Sequence, residues 1–251
     1  MRLYIRGILG QDYRMLEAGN GRQGLEKAIE HVPDLVLTDV MMPEMDGYEL
    51  TRKLKSDERT SHIPVIILTA RAGMESKIEG LETGADDFIT KPFDPEELKV
   101  RIQNLILQRK KLKEKFLSEL GMAFEEVAKP EKRENPVSMD QRFLLRARSV
   151  VENHLGDEAF DVECFSDEMH LSRTQMHRKL RALINQSATE FIRTVRLNRA
   201  RMLLSNKTGN ISEIALEVGF SNPAYFAECF RKQYGQTPSE YIHYQKQNSN
   251  H

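Results

Sequence analysis

Three residues far apart in the chain have the types needed for one chemical task. Asp39 ends the apolar run LVLTD, Thr69 ends VIILT, and Lys91 ends DFITK. If each run is a strand of one parallel sheet, an acid, a hydroxyl and an ammonium gather at its carboxyl edge, where open α/β sheets bind ligands. That trio suits phosphoryl transfer to a carboxylate. Asp39 attacks, Lys91 offers a point charge to the phosphoryl oxygens, and Thr69 donates a hydrogen bond once they arrive.

A second constellation is basic. Residues 172–201 contain Arg173, Arg178, Lys179, Arg181, Arg193, Arg196, Arg199 and Arg201 against the single acid Glu190. A formal net charge of −1 gives the whole chain no attraction to nucleic acid, so this local concentration would have to supply it. In the helix expected from Ser172, Met176, Leu180 and Leu183 share one side at i, i+4 and i+7 and should pack inward. Thr174, Arg178 and Arg181 then face outward, with His177 on the flank. The segment VECFSDEM and a turn at His170 and Leu171 complete a helix-turn-helix whose second helix can enter a major groove. The stretch IALEVGFSNPAYFAECF repeats the pattern: a helix at 211–218, a turn at Gly219, and a helix burying Phe226 and Phe230 while presenting Ala224, Ala227, Glu228 and Arg231. Residues 189–204 read as one helix, about 24 Å long at 1.5 Å per residue. Such a rod can hold two reading helices roughly one duplex turn apart, about 34 Å.

The elements that must position the first trio alternate along residues 2–90. Strands are expected at 14–18, 35–40, 65–68 and 88–89, and helices around 24–29, 48–54 and 77–81. This order predicts a doubly wound α/β parallel sheet. A last helix should start at Pro95, with Asp94 as N-cap and Glu96 and Glu97 near the positive end of its dipole, and run on through Gln108. The segment AKPEKRENP, with two prolines and mixed charges, reads as linker. Beyond it the pattern is wholly helical. The expected domains are therefore 1–112, a linker at 113–138, and an all-α domain at 139–251.

The blocks TDVMMPEMDG, ILTARA and GADDFITKPF resemble the signature blocks of the response-regulator receiver domain of two-component signalling. The resemblance covers nearly all of residues 1–112 and implies a flavodoxin-like fold. It makes Asp39 the phosphoacceptor, Thr69 the switch hydroxyl, Phe88 the switch aromatic and Lys91 the pocket lysine, with a cis peptide between Lys91 and Pro92. It also implies Mg²⁺ as cofactor and a histidine kinase as phosphodonor. Residues 143–243, above all IALEVGFSNPAYFAECFRKQYGQTPSEYI, resemble the AraC family DNA-binding domain. That resemblance assigns Arg173, Thr174, His177 and Arg178 of the first unit, and Ala224, Glu228 and Arg231 of the second, to double-stranded DNA. Arginine can pair with guanine, and threonine or alanine can meet a thymine methyl. Glu228 departs from the basic or polar residue common at its place; it either accepts from cytosine or weakens phosphate attraction there, the second being favoured.

Receiver domains begin with a strand that brings an acidic pair to the pocket to hold Mg²⁺. Here residues 1–9, MRLYIRGIL, already read as the first helix, with Leu3, Ile5, Ile8 and Leu9 as its apolar positions. The expected fold is a receiver lacking its first strand, with Mg²⁺ binding poor for want of oxygen ligands. Asp12, in the turn before the next strand, cannot easily substitute. The chain is accordingly expected to be the C-terminal piece of a longer hybrid sensor kinase and regulator, started at an internal methionine. Phosphorylation would favour a homodimer on repeated half-sites.

Composition bounds the remaining classes. The 251 residues have room for two domains, and 30% charged with 39% hydrophobic residues fit a water-soluble chain with no membrane-length run, expected in the cytoplasm. Its two cysteines, Cys164 and Cys229, read as small fillers rather than a disulfide, and metal-ligand spacing is absent. A phosphatase working through an aspartyl phosphate would need a second carboxylate near Asp39, and Asp46 is displaced into the following loop. The other rival is a DNA-binding fragment whose receiver is not phosphorylated.

Overall fold

The computed structural model describes residues 1–70, 83–122, 138–206 and 209–248. Two compact units divide the chain, Met1–Glu114 and Lys115–His251.

In the first unit the order is α1 (Arg2–Leu9), α2 (Gly21–His31), β1 (Val36–Asp39), α3 (Gly47–Ser56), β2 (Val65–Thr69), β3 (Asp87–Thr90) and α4 (Pro95–Met122). The three strands form a parallel sheet in the order β1-β2-β3. All five residues of β2 are buried, as the central strand of a sheet covered on both faces requires. Alternate residues take opposite sides. Val65 and Ile67 join Leu50 and Leu54 of α3 and Ala28 of α2, whereas Ile66 and Leu68 join Ile5 and Leu9 of α1 and Leu98 and Ile102 of α4. Each such isoleucine or leucine contributes about 1.5–3 kcal/mol by leaving water.

Two expectations are corrected. Residues 14–18 form no strand: no neighbouring strand pairs with them among the described residues, and side chains take some of their carbonyls instead. Arg2 donates to the Ala18 carbonyl at 3.4 Å and Lys27 donates to that of Glu17. Leu3 is not part of the core of α1, being 81% exposed, while Ile5 and Leu9 form the buried seam. The start of α4 follows expectation, for the Asp94 carboxylate accepts the Glu96 N–H at 2.7 Å. The helix expected at 77–81 lies outside the described residues.

The second unit is helical throughout its described residues: α5 (Met139–Asn153), α6 (Val162–Glu168), α7 (Arg173–Ile184), α8 (Ala188–Ser205), α9 (Ile211–Glu217), α10 (Pro223–Tyr234) and α11 (Pro238–Asn248). Local chemistry punctuates it. Ser138, Ser172, Ser187 and Asn210 each close a capping box, and Asn222 caps α10 ahead of Pro223. Helix α8 is the shared spine. Phe191 at its start stacks on Phe165 of α6 at 5.8 Å, and Leu197, Ala200, Leu203 and Leu204 pack with Ile214 of α9 and with Phe226 and Phe230 of α10. Met176, Leu180 and Leu183 are buried as their spacing predicts. Cys229 is a buried filler, but Cys164 is exposed on α6; both are free thiols.

Candidate functional site

The register of the sheet explains how the trio converges. Asp39 pairs with Leu68, and Thr69, one step further, pairs with Thr90, the residue before Lys91. The Lys91 N–H continues the ladder by donating to the Thr69 carbonyl at 2.7 Å, and the Lys91–Pro92 peptide is cis. From there the Lys91 ammonium reaches across and donates to Asp39 Oδ2. The other oxygen, Oδ1, accepts the Met41 N–H at 3.1 Å. The side chains of Lys91 and Asp39 are 20% and 25% exposed, so the pair is sheltered yet open to a small reactant. Thr69 is buried at the same edge.

Gly47, which closes the block TDVMMPEMDG, starts α3, and the site depends on it. Its N–H donates to the Val40 carbonyl at 3.1 Å, and a Cβ there would lie 2.3 Å from the Asp39 carbonyl oxygen. Only glycine lets α3 start so close to the end of β1. Asp46 caps that helix by accepting the Glu49 N–H at 2.7 Å. Phe88 packs partly buried against the cluster of Leu54, Ile63 and Ile67. Asp12 is exposed in the turn after α1. Among the described residues no group of three or more His, Cys, Asp or Glu side chains could hold a metal ion. Among the described residues the set around Asp39 thus supplies fewer than three such side chains toward the near-octahedral oxygen array of Mg²⁺.

In the second unit two turns match bond for bond. The Leu171 N–H donates to the Ser166 carbonyl at 3.0 Å, and the Phe220 N–H to that of Ala215 at 2.9 Å. The preceding residues, His170 and Gly219, both take the left-handed conformation, with φ of 56° and 81°. Beyond these turns α7 exposes Arg173, Thr174, His177 and Arg181, with Arg178 half-buried, and α10 exposes Ala224, Glu228 and Arg231. His177 thus lies on the open face rather than its flank. Ala227 is half-buried, and Tyr225, a residue the pattern did not single out, is exposed on α10.

The basic surface is smaller than the count of arginines and lysines suggests. Lys179 is buried and donates to Asp140 Oδ1 at 2.7 Å, since its position on α7 turns toward α5. Arg196 donates to two backbone carbonyls, and Arg201 lies over the Tyr234 ring at 5.3 Å. Arg173 is paired with Glu163 of α6, and Arg181 with Glu190 at 3.3 Å. The Ser187 N–H bound to Glu190 holds that carboxyl below its ordinary range. Arg173 and Arg181 thus each hold an exposed carboxylate partner, a kind of pair worth little in water.

Comparison with known proteins assigns both units. Residues 1–103 match the response regulator receiver domain family, and residues 165–244 match a helix-turn-helix domain family. Over 241 residues the chain is 42% identical to Histidine kinase P4 of Formosa agariphila, covering 96% of this chain and 17% of that protein. It is 49% identical over 94 residues to the phosphate regulon transcriptional regulatory protein PhoB of Pseudomonas aeruginosa, covering 38% of this chain and 41% of that one. The chain thus spans less than half the length of either relative. Among solved structures, the receiver domain of the sensor histidine kinase PA1611 from Pseudomonas aeruginosa, described with a magnesium ion in its active site cleft, is 31% identical with a TM-score of 0.40. It covers 42% of this chain and 87% of that one.

Proposed function

We propose that this chain, a response regulator receiver domain followed by an AraC-type helix-turn-helix domain, is a transcription regulator whose binding to double-stranded DNA is set by phosphorylation of Asp39. The observation that carries the first half is the Lys91 ammonium seated on Asp39 at the carboxyl edge of the sheet. An Asp39 oxygen attacks the phosphorus of a phosphohistidine; the new O–P bond forms as the P–N bond breaks, and the imidazole leaves. Lys91 then transfers its hydrogen bond from the carboxylate to a phosphoryl oxygen, and Thr69 donates to another. A histidine kinase is the proposed phosphodonor, and the Formosa relative supports a hybrid context. Phe88, half-buried beside β2, is the proposed responder to the new charge.

In the second half, Arg173, Thr174, His177 and Arg178 contact one stretch of major groove, and Ala224, Glu228 and Arg231 the next. A phosphorylation-favoured homodimer on repeated half-sites is the proposed active form. The chain acts as a phosphoryl acceptor rather than an enzyme: Asp46 caps α3 and is no acid or base for Asp39. No helix among the described residues is long and apolar enough to cross a membrane; the cytoplasm is the proposed location. The proposed domain limits are 1–112 and 139–251, joined by 113–138.

The test is a phosphate-mobility gel after acetyl phosphate, run beside DNA binding, with Asp39→Asn as control. An Asp39-dependent shift accompanied by tighter binding is expected. A second reading, a DNA-binding fragment with an unphosphorylated receiver, applies if Asp39 stays in its ion pair with Lys91. Unchanged mobility with intact DNA binding would select it.

A further inference from the structure

Arg196 stands midway along α8, the helix shared by both helix-turn-helix units, and its side chain turns onto two backbone carbonyls. Nη1 donates to the Gly219 carbonyl at 3.1 Å, in the turn of the second unit. Nη2 donates to the Asp157 carbonyl at 2.6 Å, in the loop that leads into α6 of the first. These two loops also touch: a Cβ on Gly219 would meet the Leu155 carbonyl oxygen at 2.4 Å and the Arg196 guanidinium carbon at 2.9 Å. Glycine at 219 is thus required by close approach as well as by its φ of 81°. Burial holds the guanidinium below its ordinary pKa, offset in part by the nearby Asp157 and Glu158. One half-buried cation therefore ties three segments: the loop before the first helix of one unit, the turn before the reading helix of the other, and the rod between them.

We propose that Arg196 is a positioning residue that fixes the angle between reading helices α7 and α10, and so sets the separation of the two DNA sub-sites the protein accepts. The proposal rests on the two-headed DNA reading above. Turning one unit against the other would strip two carbonyls of a charged donor in a closely packed place, which disfavours the rotation. Sub-site spacing is a sharp reporter, because one inserted base pair rotates the far sub-site by about 35° and shifts it by about 3.4 Å.

The experiment uses the full chain and a duplex that the wild-type protein selects from a random-sequence pool. Duplexes with one or two base pairs inserted between the two footprints are compared by fluorescence anisotropy at fixed salt. Wild type should lose about tenfold or more per inserted pair, as for a mismatched site. Arg196→Met should bind the selected and altered duplexes within about threefold of each other, well below the discrimination of a rigid two-site reader. Arg196→Lys, which keeps the charge but can serve only one carbonyl well, should fall between. A purely structural role would lower the melting temperature and leave the spacing profile as it was. Circular dichroism establishes folding first, and Arg196→Lys decides the matter if Arg196→Met has melted. Folded variants with the wild-type profile, or a wild type indifferent to spacing, would overturn the proposal and leave DNA binding standing. A wild type that selects no duplex would overturn the DNA reading and the proposal with it.

Discussion

The buried pair between Asp140 and Lys179 allows a quantitative test. Lys179 is 1% exposed and Asp140 10%, with the ammonium 2.7 Å from the carboxylate and 5.5 Å from the Phe143 ring centre. Removing one partner of a buried pair costs about 3–5 kcal/mol because the other charge is stranded. Two local features soften that cost. In Lys179→Met the Asp140 carboxylate loses its ammonium but still sits in the first turn of α5, where the helix dipole favours it by about 0.3–1 kcal/mol. In Asp140→Asn the stranded ammonium keeps the Phe143 ring, worth about 0.5–2 kcal/mol. Each single variant should therefore lose about 2–4 kcal/mol, a fall of roughly 7–14 °C in melting temperature for a unit of this size. The double variant Asp140→Leu with Lys179→Met should return to within about 1 kcal/mol of wild type or exceed it, since apolar replacement of a whole buried pair is often neutral or stabilising. Calorimetry of wild type, Asp140→Leu, Lys179→Met and their double variant closes the double-mutant cycle, with Asp140→Asn as the isosteric control. DNA titrations at several salt concentrations complete it: because Lys179 is not at the surface, its loss should leave the salt slope of non-specific binding unchanged. Single variants within about 0.5 kcal/mol of wild type, together with a slope shallower by about one phosphate contact, would place Lys179 on the DNA face and refute the reasoning.

Three further outcomes are expected. Gly47→Ala forces a methyl against the Asp39 carbonyl and should slow labelling of Asp39 by acetyl phosphate several-fold while costing about 1–3 kcal/mol of stability; unchanged labelling would show that α3 does not set the position of Asp39. Burial pushes the Tyr234 phenol up to about 12, so its neutral form contributes about 2–3 kcal/mol that is complete below pH 10 and lost as pH rises from about 10 to 12. Tyr234→Phe, which forfeits the 2.5 Å bond to Asn198, should be slightly less stable at neutral pH yet decline less between pH 10 and 12; parallel alkaline melting curves would contradict this. Glu163→Gln releases Arg173 from its exposed partner and should steepen the salt dependence of DNA binding by up to about one phosphate contact, and a shallower slope would show that Arg173 faces away from the backbone.

Much of the fold and of the first site was legible in the sequence, because it is written locally. Apolar runs ending in Asp39, Thr69 and Lys91 specify strands whose polar residues must fall at one edge, and a parallel sheet brings the three ends together whatever else the chain does. Capping residues such as Ser172, Ser187 and Asn210, and the left-handed turn at Gly219, likewise mark helix starts and stops before any packing is considered. Tertiary structure decided what depends on partners distant in the chain. Residues 14–18 have a strand's composition but pair with no strand among the described residues, and a ladder cannot form from one side. Lys179 and Arg196 count as surface charge in the sequence, yet Asp140 buries one and two carbonyls from different loops hold the other inward. Gly47 is one glycine among fourteen until the carbonyl of Asp39 arrives 2.3 Å from where its Cβ would be. Residue type and spacing determined which groups could react or read DNA; the close approach of segments far apart in sequence determined which side chains remain available to do so.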